Sequence, residues 1–135
     1  RFRQLAETIR EVFWMCDART WEILYVSPAC EGLWGRTAQE LTASPAAWAE
    51  SIHQDDRARV LAANGALPQT GRYDEVYRLV RPDGSERWVH DRGFPIRDAT
   101  GAVYRIAGIA EDITALKAAE AALALLQGAD GRRAA

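Results

Sequence analysis

Among its 135 residues the chain has one lysine, one methionine, two histidines and two cysteines. Cys16 and Cys30 sit in apolar surroundings without CxxC spacing, so they offer no disulfide framework and, with two histidines beside them, no zinc pattern. No apolar run approaches the roughly 20 residues that cross a bilayer, and no charged-then-apolar signal segment opens the sequence. Charge of one sign is also lacking. The 17 basic residues face 19 acidic ones, for a net charge of -2. That balance leaves no electrostatic footprint for a nucleic acid, and the arginine bias of the basic set carries no functional signal. What is present is ordinary for a globular protein: 48% apolar and 27% charged residues, in a length that suits one domain. The expectation is a cytoplasmic chain, or the cytoplasmic part of a membrane-anchored protein, with no direct membrane insertion.

Periodicity supplies the elements. Phe2, Leu5 and Ile9 follow three-four spacing and predict an amphipathic helix over 1–10. Strands are expected over 12–17 and 22–26, joined by a turn at Ala18-Arg19-Thr20. Ser27 as N-cap with Pro28 at the first helical position predicts a short helix, aided by Glu31 and ended by Gly35. Thr37 and Glu40 have the spacing of a capping box, and a further helical turn is expected over 46–52. A longer helix should run from His53 to about Leu67, its free N–H groups capped by Asp55 or Asp56 and its end set by Pro68. The period then changes to two. Strands are expected over 73–81, 86–96 and 103–112, with a hairpin signal at Pro82-Asp83-Gly84. Thr114 should cap a terminal helix over 114–127, and 128–135 should be a disordered tail. Strands at both ends with helices between them give an α+β domain with one antiparallel sheet.

Several of these residues form an ordered set. Tyr77-Arg78-Leu79, Arg81-Pro82-Asp83-Gly84-Ser85 and Arg87-Trp88-Val89 are followed by Pro95, Asp98, Gly101, Gly108 and Asp112-Ile113-Thr114. Upstream stand Tyr25-Val26-Ser27-Pro28-Ala29 and the His53 to Arg57 stretch. In this pattern the sequence resembles a PAS domain over about residues 11–120. The resemblance implies a PAS core over 11–113, a five-stranded antiparallel sheet of order 2-1-5-4-3 with helices on one face. It further implies a sensor or interaction module rather than an enzyme, of the kind that precedes histidine kinases or diguanylate cyclases.

Comparison with flavin-binding members implies a pocket faced by Trp14, Cys16, Tyr77, Leu79, Val89, Asp91, Gly93, Ile106, Gly108 and Ala110. The other sheet face would then carry Val76, Arg78, Val80, Trp88, His90, Ala107 and Ile109, too apolar for free exposure. A homodimer is expected through that face and the flanking helices, with Leu5, Ile9, Val76, Trp88, Ile109, Leu116 and Leu123 at the surface. Leu116, Ala119, Leu123 and Leu126 follow coiled-coil spacing.

No cofactor is predicted. The adduct-forming cysteine of photochemical flavin members falls near Ala46, and the flavin-contacting glutamine is replaced by Ala110. His53 is expected to support a helix start and His90 to lie on the outer face, neither as a haem ligand. The five tryptophans are read as core and interface mass. Asp91 has two readings: at the pocket mouth, solvated or paired with an arginine, or binding a cationic or hydroxyl-bearing ligand. No nucleophile-and-base pair accompanies it. Asp112, Ile113 and Thr114 form the expected relay, both polar side chains bonding the first N–H groups of the output helix. The expected function is thus a dimerising sensor or relay that drives a downstream output domain in the same chain. The alternatives are a ligand-free dimerisation domain whose pocket is closed by Trp14 and Tyr77, or a flavin or haem redox or gas sensor.

Overall fold

The computed structural model describes residues 11–134, with side chains as far as Gly128. The predicted helix over 1–10, and with it Leu5 and Ile9, lies outside the described residues. Strands β1 (Glu11–Asp17) and β2 (Ile23–Val26) come first, followed by helices α1 (Cys30–Trp34), α2 (Ala38–Ala43), α3 (Pro45–Ser51) and α4 (Gln54–Thr70). Strands β3 (Tyr73–Val80), β4 (Glu86–Arg97) and β5 (Val103–Asp112) complete the sheet, and α5 (Thr114–Ala134) leaves it. The sheet is antiparallel with order β2-β1-β5-β4-β3.

Turn chemistry sets the hairpins. Gly84 and Gly101 adopt φ of 87° and 86°, a left-handed backbone that glycine enters without penalty. Asp83 Oδ1 accepts from the Ser85 N–H at 2.9 Å, and Asp98 Oδ1 accepts from the Thr100 N–H at 2.9 Å. One face of the sheet packs against α1–α4. Val12, Tyr77, Leu79, Val89, Ile106 and Ala110 are wholly buried there with Leu33, Leu41, Ile52, Val60 and Leu67.

Local caps differ from the sequence expectations in an instructive way. Thr37 and Glu40 do form the capping box of α2. Ser27 instead accepts the Phe13 N–H at 2.9 Å, tying β1 down, and α1 starts later with Ala29 as N-cap. The imidazole of His53 caps α4 by accepting the Asp55 N–H at 3.1 Å. Asp56 is therefore free to clasp β3, accepting from the Arg78 N–H, Nε and Nη2 at 2.9, 3.0 and 2.9 Å. Those bonds from Arg78 hold the Asp56 carboxyl below its ordinary range. α4 continues past Pro68 to Thr70, where Gly71 closes it. The expected disordered tail is also corrected, since α5 runs through Gly128 and Gly131 to Ala134. Alanine, leucine and arginine are strong helix formers, and each glycine within the helix costs about 1 kcal/mol relative to alanine.

Candidate functional site

Between the sheet and the helices lies a partly open cavity of about 300 Å³. Its wall takes Trp14 and Cys16 from β1, Trp21 from the β1–β2 turn, and Ile23 and Val26 from β2. Trp34 on α1, Leu41 on α2, Pro45, Trp48 and Ala49 on α3, and Leu61, Asn64 and Gly65 on α4 close the helical side. Asp91 on β4 supplies the carboxylate. Four of the five tryptophans line this space, so they are site residues and not only core mass.

Trp21 holds its place at a backbone cost. Its φ is 62°, a left-handed conformation disfavoured by about 1–2 kcal/mol for a residue with a Cβ. The turn enforces it. Asp17 Oδ1 accepts from the Arg19 and Thr20 N–H groups at 2.8 and 3.0 Å, while the Trp21 N–H donates to the Asp17 carbonyl at 2.9 Å.

The floor is built around Trp14. In register, Trp14, Gly108, Gly93 and Tyr73 form one row across β1, β5, β4 and β3. The two glycines leave room for the indole to lie over both strands: a Cβ at Gly108 would stand 2.3 Å from its Cζ2, and one at Gly93 3.0 Å from its Cη2. Beyond them the indole meets Tyr73 edge-on, with ring centroids 6.4 Å apart. This corrects the expected pocket. Trp14 covers Gly93 and Gly108, and Leu79, Val89, Ile106 and Ala110 are consumed by core packing. Tyr77 lies behind Asp91. None of these seven lines the cavity; Trp14, Cys16 and Asp91 do.

Asp91 is 3% exposed, and no arginine among the described residues pairs with it, so it is neither solvated nor arginine-paired as the first sequence reading supposed. Its Oδ1 accepts from Trp14 Nε1 at 2.9 Å, and its Oδ2 accepts from the Tyr77 and Tyr73 hydroxyls at 2.7 and 3.2 Å. The Tyr77 hydroxyl in turn accepts from Trp48 Nε1 at 3.1 Å, linking the carboxylate to α3. Burial pushes the Asp91 carboxyl up to about 6, against the pull of the Tyr77, Trp14 and Tyr73 donors and, more weakly, His90. Burial beside this carboxylate also raises both tyrosines, keeping their hydroxyls protonated as donors. Cys16 is pushed up to about 11, first by burial and then by Asp91, so it is a thiol and a poor nucleophile at neutral pH. Cys30, raised to about 11, points its Sγ at the Arg36 carbonyl at 3.6 Å.

The site reaches α5 through β4. Three residues before Asp91, the Trp88 N–H donates to Thr114 Oγ1 at 3.0 Å, and the Trp88 carbonyl accepts from the Ile113 N–H at 2.9 Å. Asp112 Oδ2 accepts from Arg87 Nε and Nη2 at 3.0 and 2.7 Å. Its Oδ1 takes the Thr114 N–H at 3.0 Å and the Thr114 hydroxyl at 2.6 Å. Asp112 thus holds the helix start as expected, whereas Thr114 spends its oxygen on β4 and not on a helical N–H. Burial raises the Asp112 carboxyl, but the Thr114 and Arg87 bonds outweigh it and leave it below its ordinary range.

The outer sheet face is arranged differently from the expectation. Trp88 is half-buried between two cations, 5.5 Å from the Arg78 guanidinium and 4.8 Å from Lys117 Nζ, which cover part of its ring. Val76 is half-buried across from His90, whose Nε2 lies 2.7 Å from Asp74 Oδ1. The apolar row on this face is Tyr25, Met15, Ala107 and Phe94, with Phe13 and Ile109 beside it; Met15, Ala107 and Ile109 are half-buried. Phe13, Tyr25 and Phe94 are 43%, 52% and 52% exposed. The sequence reading of this face named Ala107 and Ile109 but not Phe13, Tyr25 or Phe94, which carry its largest exposed apolar side chains. Leu116 and Leu123 are exposed on α5. No helix among the described residues is long and apolar enough to cross a membrane.

A family profile of the PAS fold matches residues 23–110. A sensory box histidine kinase/response regulator from Burkholderia thailandensis shares 33% identity at a TM-score of 0.72, covering 98% of each chain. A domain of a histidine kinase from Haloarcula marismortui shares 32% identity at a TM-score of 0.70, over 84% of this chain and 98% of that one. The N-terminal domain of a diguanylate cyclase with a PAS/PAC sensor, from Marinobacter aquaeolei, shares 25% at a TM-score of 0.73, over 79% and 98%. A search of curated proteins finds no match. With its sheet order, its helical wall and the match over residues 23–110, this chain belongs to the PAS family.

Proposed function

We propose that the chain is a cytoplasmic sensor and relay module that binds a small molecule between sheet and helices and passes the change through α5 to an output domain. The observation that carries this reading is the sharing of β4. One strand presents Asp91 to the cavity and, three residues earlier, hydrogen-bonds Thr114 at the start of α5. A ligand that moves Asp91 therefore acts on a strand already bonded to the output helix. The histidine-kinase and cyclase settings of the similar structures support an output of that kind.

The relay is tested by replacing Asp112 and Thr114 together with alanine in the full-length signalling chain. Loss of these bonds should cost about 1–3 kcal/mol, confined to the junction because the sheet keeps its packing. The cavity should bind as before while output stops responding to ligand. A full response, with unchanged hydrogen exchange over 112–120, would remove the junction from the mechanism. An oxidised-flavin or haem spectrum from the purified domain would replace the small-molecule reading itself.

The same proposal includes self-association through the outer sheet face, because Phe13, Tyr25 and Phe94 leave apolar surface in water. The exposed leucines of α5 would extend that contact as a coiled-coil seam. Phe94→Glu should shift a concentration-dependent dimer to monomer in sedimentation without unfolding the sheet. Dimerisation at unchanged affinity would exclude this face.

A further inference from the structure

The cavity has two unmet polar demands inside a wall of indoles. The first is at Asp91. Its Oδ2 already accepts two hydroxyls, but Oδ1 accepts a single N–H, from Trp14, and a carboxylate oxygen has two lone pairs. Every donor it has is neutral, and no ion pair reaches it among the described residues. The second is at Trp34. This residue lines the cavity, is 4% exposed, and its Nε1–H is buried with no acceptor among the described residues. Indole is a donor only, so the group it lacks is a hydrogen-bond acceptor.

The walls narrow the chemistry further. Trp14, Trp21, Trp34 and Trp48 make this a tryptophan-rich enclosure, the surface that best attracts an organic cation. A small anion would meet the Asp91 carboxylate in a low-dielectric site and is disfavoured. At about 300 Å³ the space stands at the lower end of small-molecule sites, which favours a compact ligand.

Resting on the sensory-pocket reading above, we infer that the ligand class is a small protonated amine carrying a hydrogen-bond acceptor. The ammonium N–H donates to Asp91 Oδ1 among the indoles, and the acceptor, a hydroxyl or carbonyl, takes the Trp34 N–H. Asn64, also in the wall, gives a further donor and acceptor for the polar end.

The test compares dimethylaminoethanol, protonated at neutral pH, with isopentanol, its uncharged carbon isostere of the same shape. Toluene serves as an apolar control, and tryptophan fluorescence or ligand-observed NMR gives the readout. The amino alcohol should bind the wild-type domain about tenfold more tightly than isopentanol. Asp91→Asn should erase that preference. Trp34→Phe, which removes the N–H and keeps the apolar ring, should weaken the amino alcohol but not dimethylethylamine, which lacks the hydroxyl. Equal or tighter binding of isopentanol to the wild type overturns the amine inference and leaves the pocket standing. Toluene binding without either alcohol has the same meaning. If none of the three binds, the pocket reading falls as well. The isostere comparison needs no variant, so a failure of Asp91→Asn to fold does not rescue the inference.

Discussion

Gly108→Ala is expected to destabilise the domain by about 3 kcal/mol, enough to abolish folding in a marginal variant. A Cβ at this position would lie 2.2 Å from the Arg92 carbonyl oxygen and 2.3 Å from Cζ2 of Trp14. The indole could swing away, at the cost of its bond to Asp91. The carbonyl cannot, because it belongs to β4, the strand that pairs with β5 along its length. Gly93→Ala provides the contrast. The atoms nearest its Cβ would be side-chain atoms, Trp14 Cη2 at 3.0 Å and Leu67 Cδ2 at 3.3 Å, and these can give by a few tenths of an ångström. That variant should lose about 1 kcal/mol. Urea midpoints decide the matter: equal losses at the two glycines, or a loss below about 0.5 kcal/mol at Gly108, would contradict the described floor.

The stability of an Asp91→Asn variant should rise relative to wild type as the pH increases from about 4 to 7. In the folded domain the carboxyl is pushed from its ordinary 3.8 to about 6, chiefly by burial. Between those values the native state holds a proton that the unfolded chain has released, so wild-type stability falls as pH rises. The full effect is about 3 kcal/mol once the pH exceeds the folded value. Asparagine cannot ionise and escapes this loss. The groups around Asp91 are Trp14 and Cys16 from β1, Tyr73 and Tyr77 from β3, and His90 adjacent on β4. Cys16 and the tyrosines stay protonated across this window, because burial raises all three. Asp56 and Asp112 are shifted downward, stabilise in the opposite sense, and are common to both proteins, so they cancel in the difference. A wild-type-minus-variant difference that stays flat over this range would show that the fold does not raise the Asp91 carboxyl above its ordinary range.

The sequence by itself determined what depends on neighbours along the chain. Alternating Tyr73, Glu75, Tyr77 and Leu79 announced a strand, Asp83-Gly84 and Asp98 to Gly101 announced the hairpins, and Thr37 with Glu40 announced a capping box. With Asp112-Ile113-Thr114 these short-range signals carried the resemblance to the PAS fold. Tertiary structure decided wherever one side chain had several partners to choose from. Ser27, Asp56 and Thr114 all have the chemistry of helix caps, yet each bonds a strand, because a strand N–H or an arginine lay within reach once the sheet had formed. The candidate site shows the same division. Asp91 was visible as a carboxylate on an apolar face, but its donors come from residues 77, 18 and 14 positions away, and no local pattern encodes them. The tryptophans looked like core. Whether an indole fills the core or walls a cavity depends on what stands opposite it, and two glycines on neighbouring strands let Trp14 lie flat and leave the remaining space to Trp21, Trp34 and Trp48.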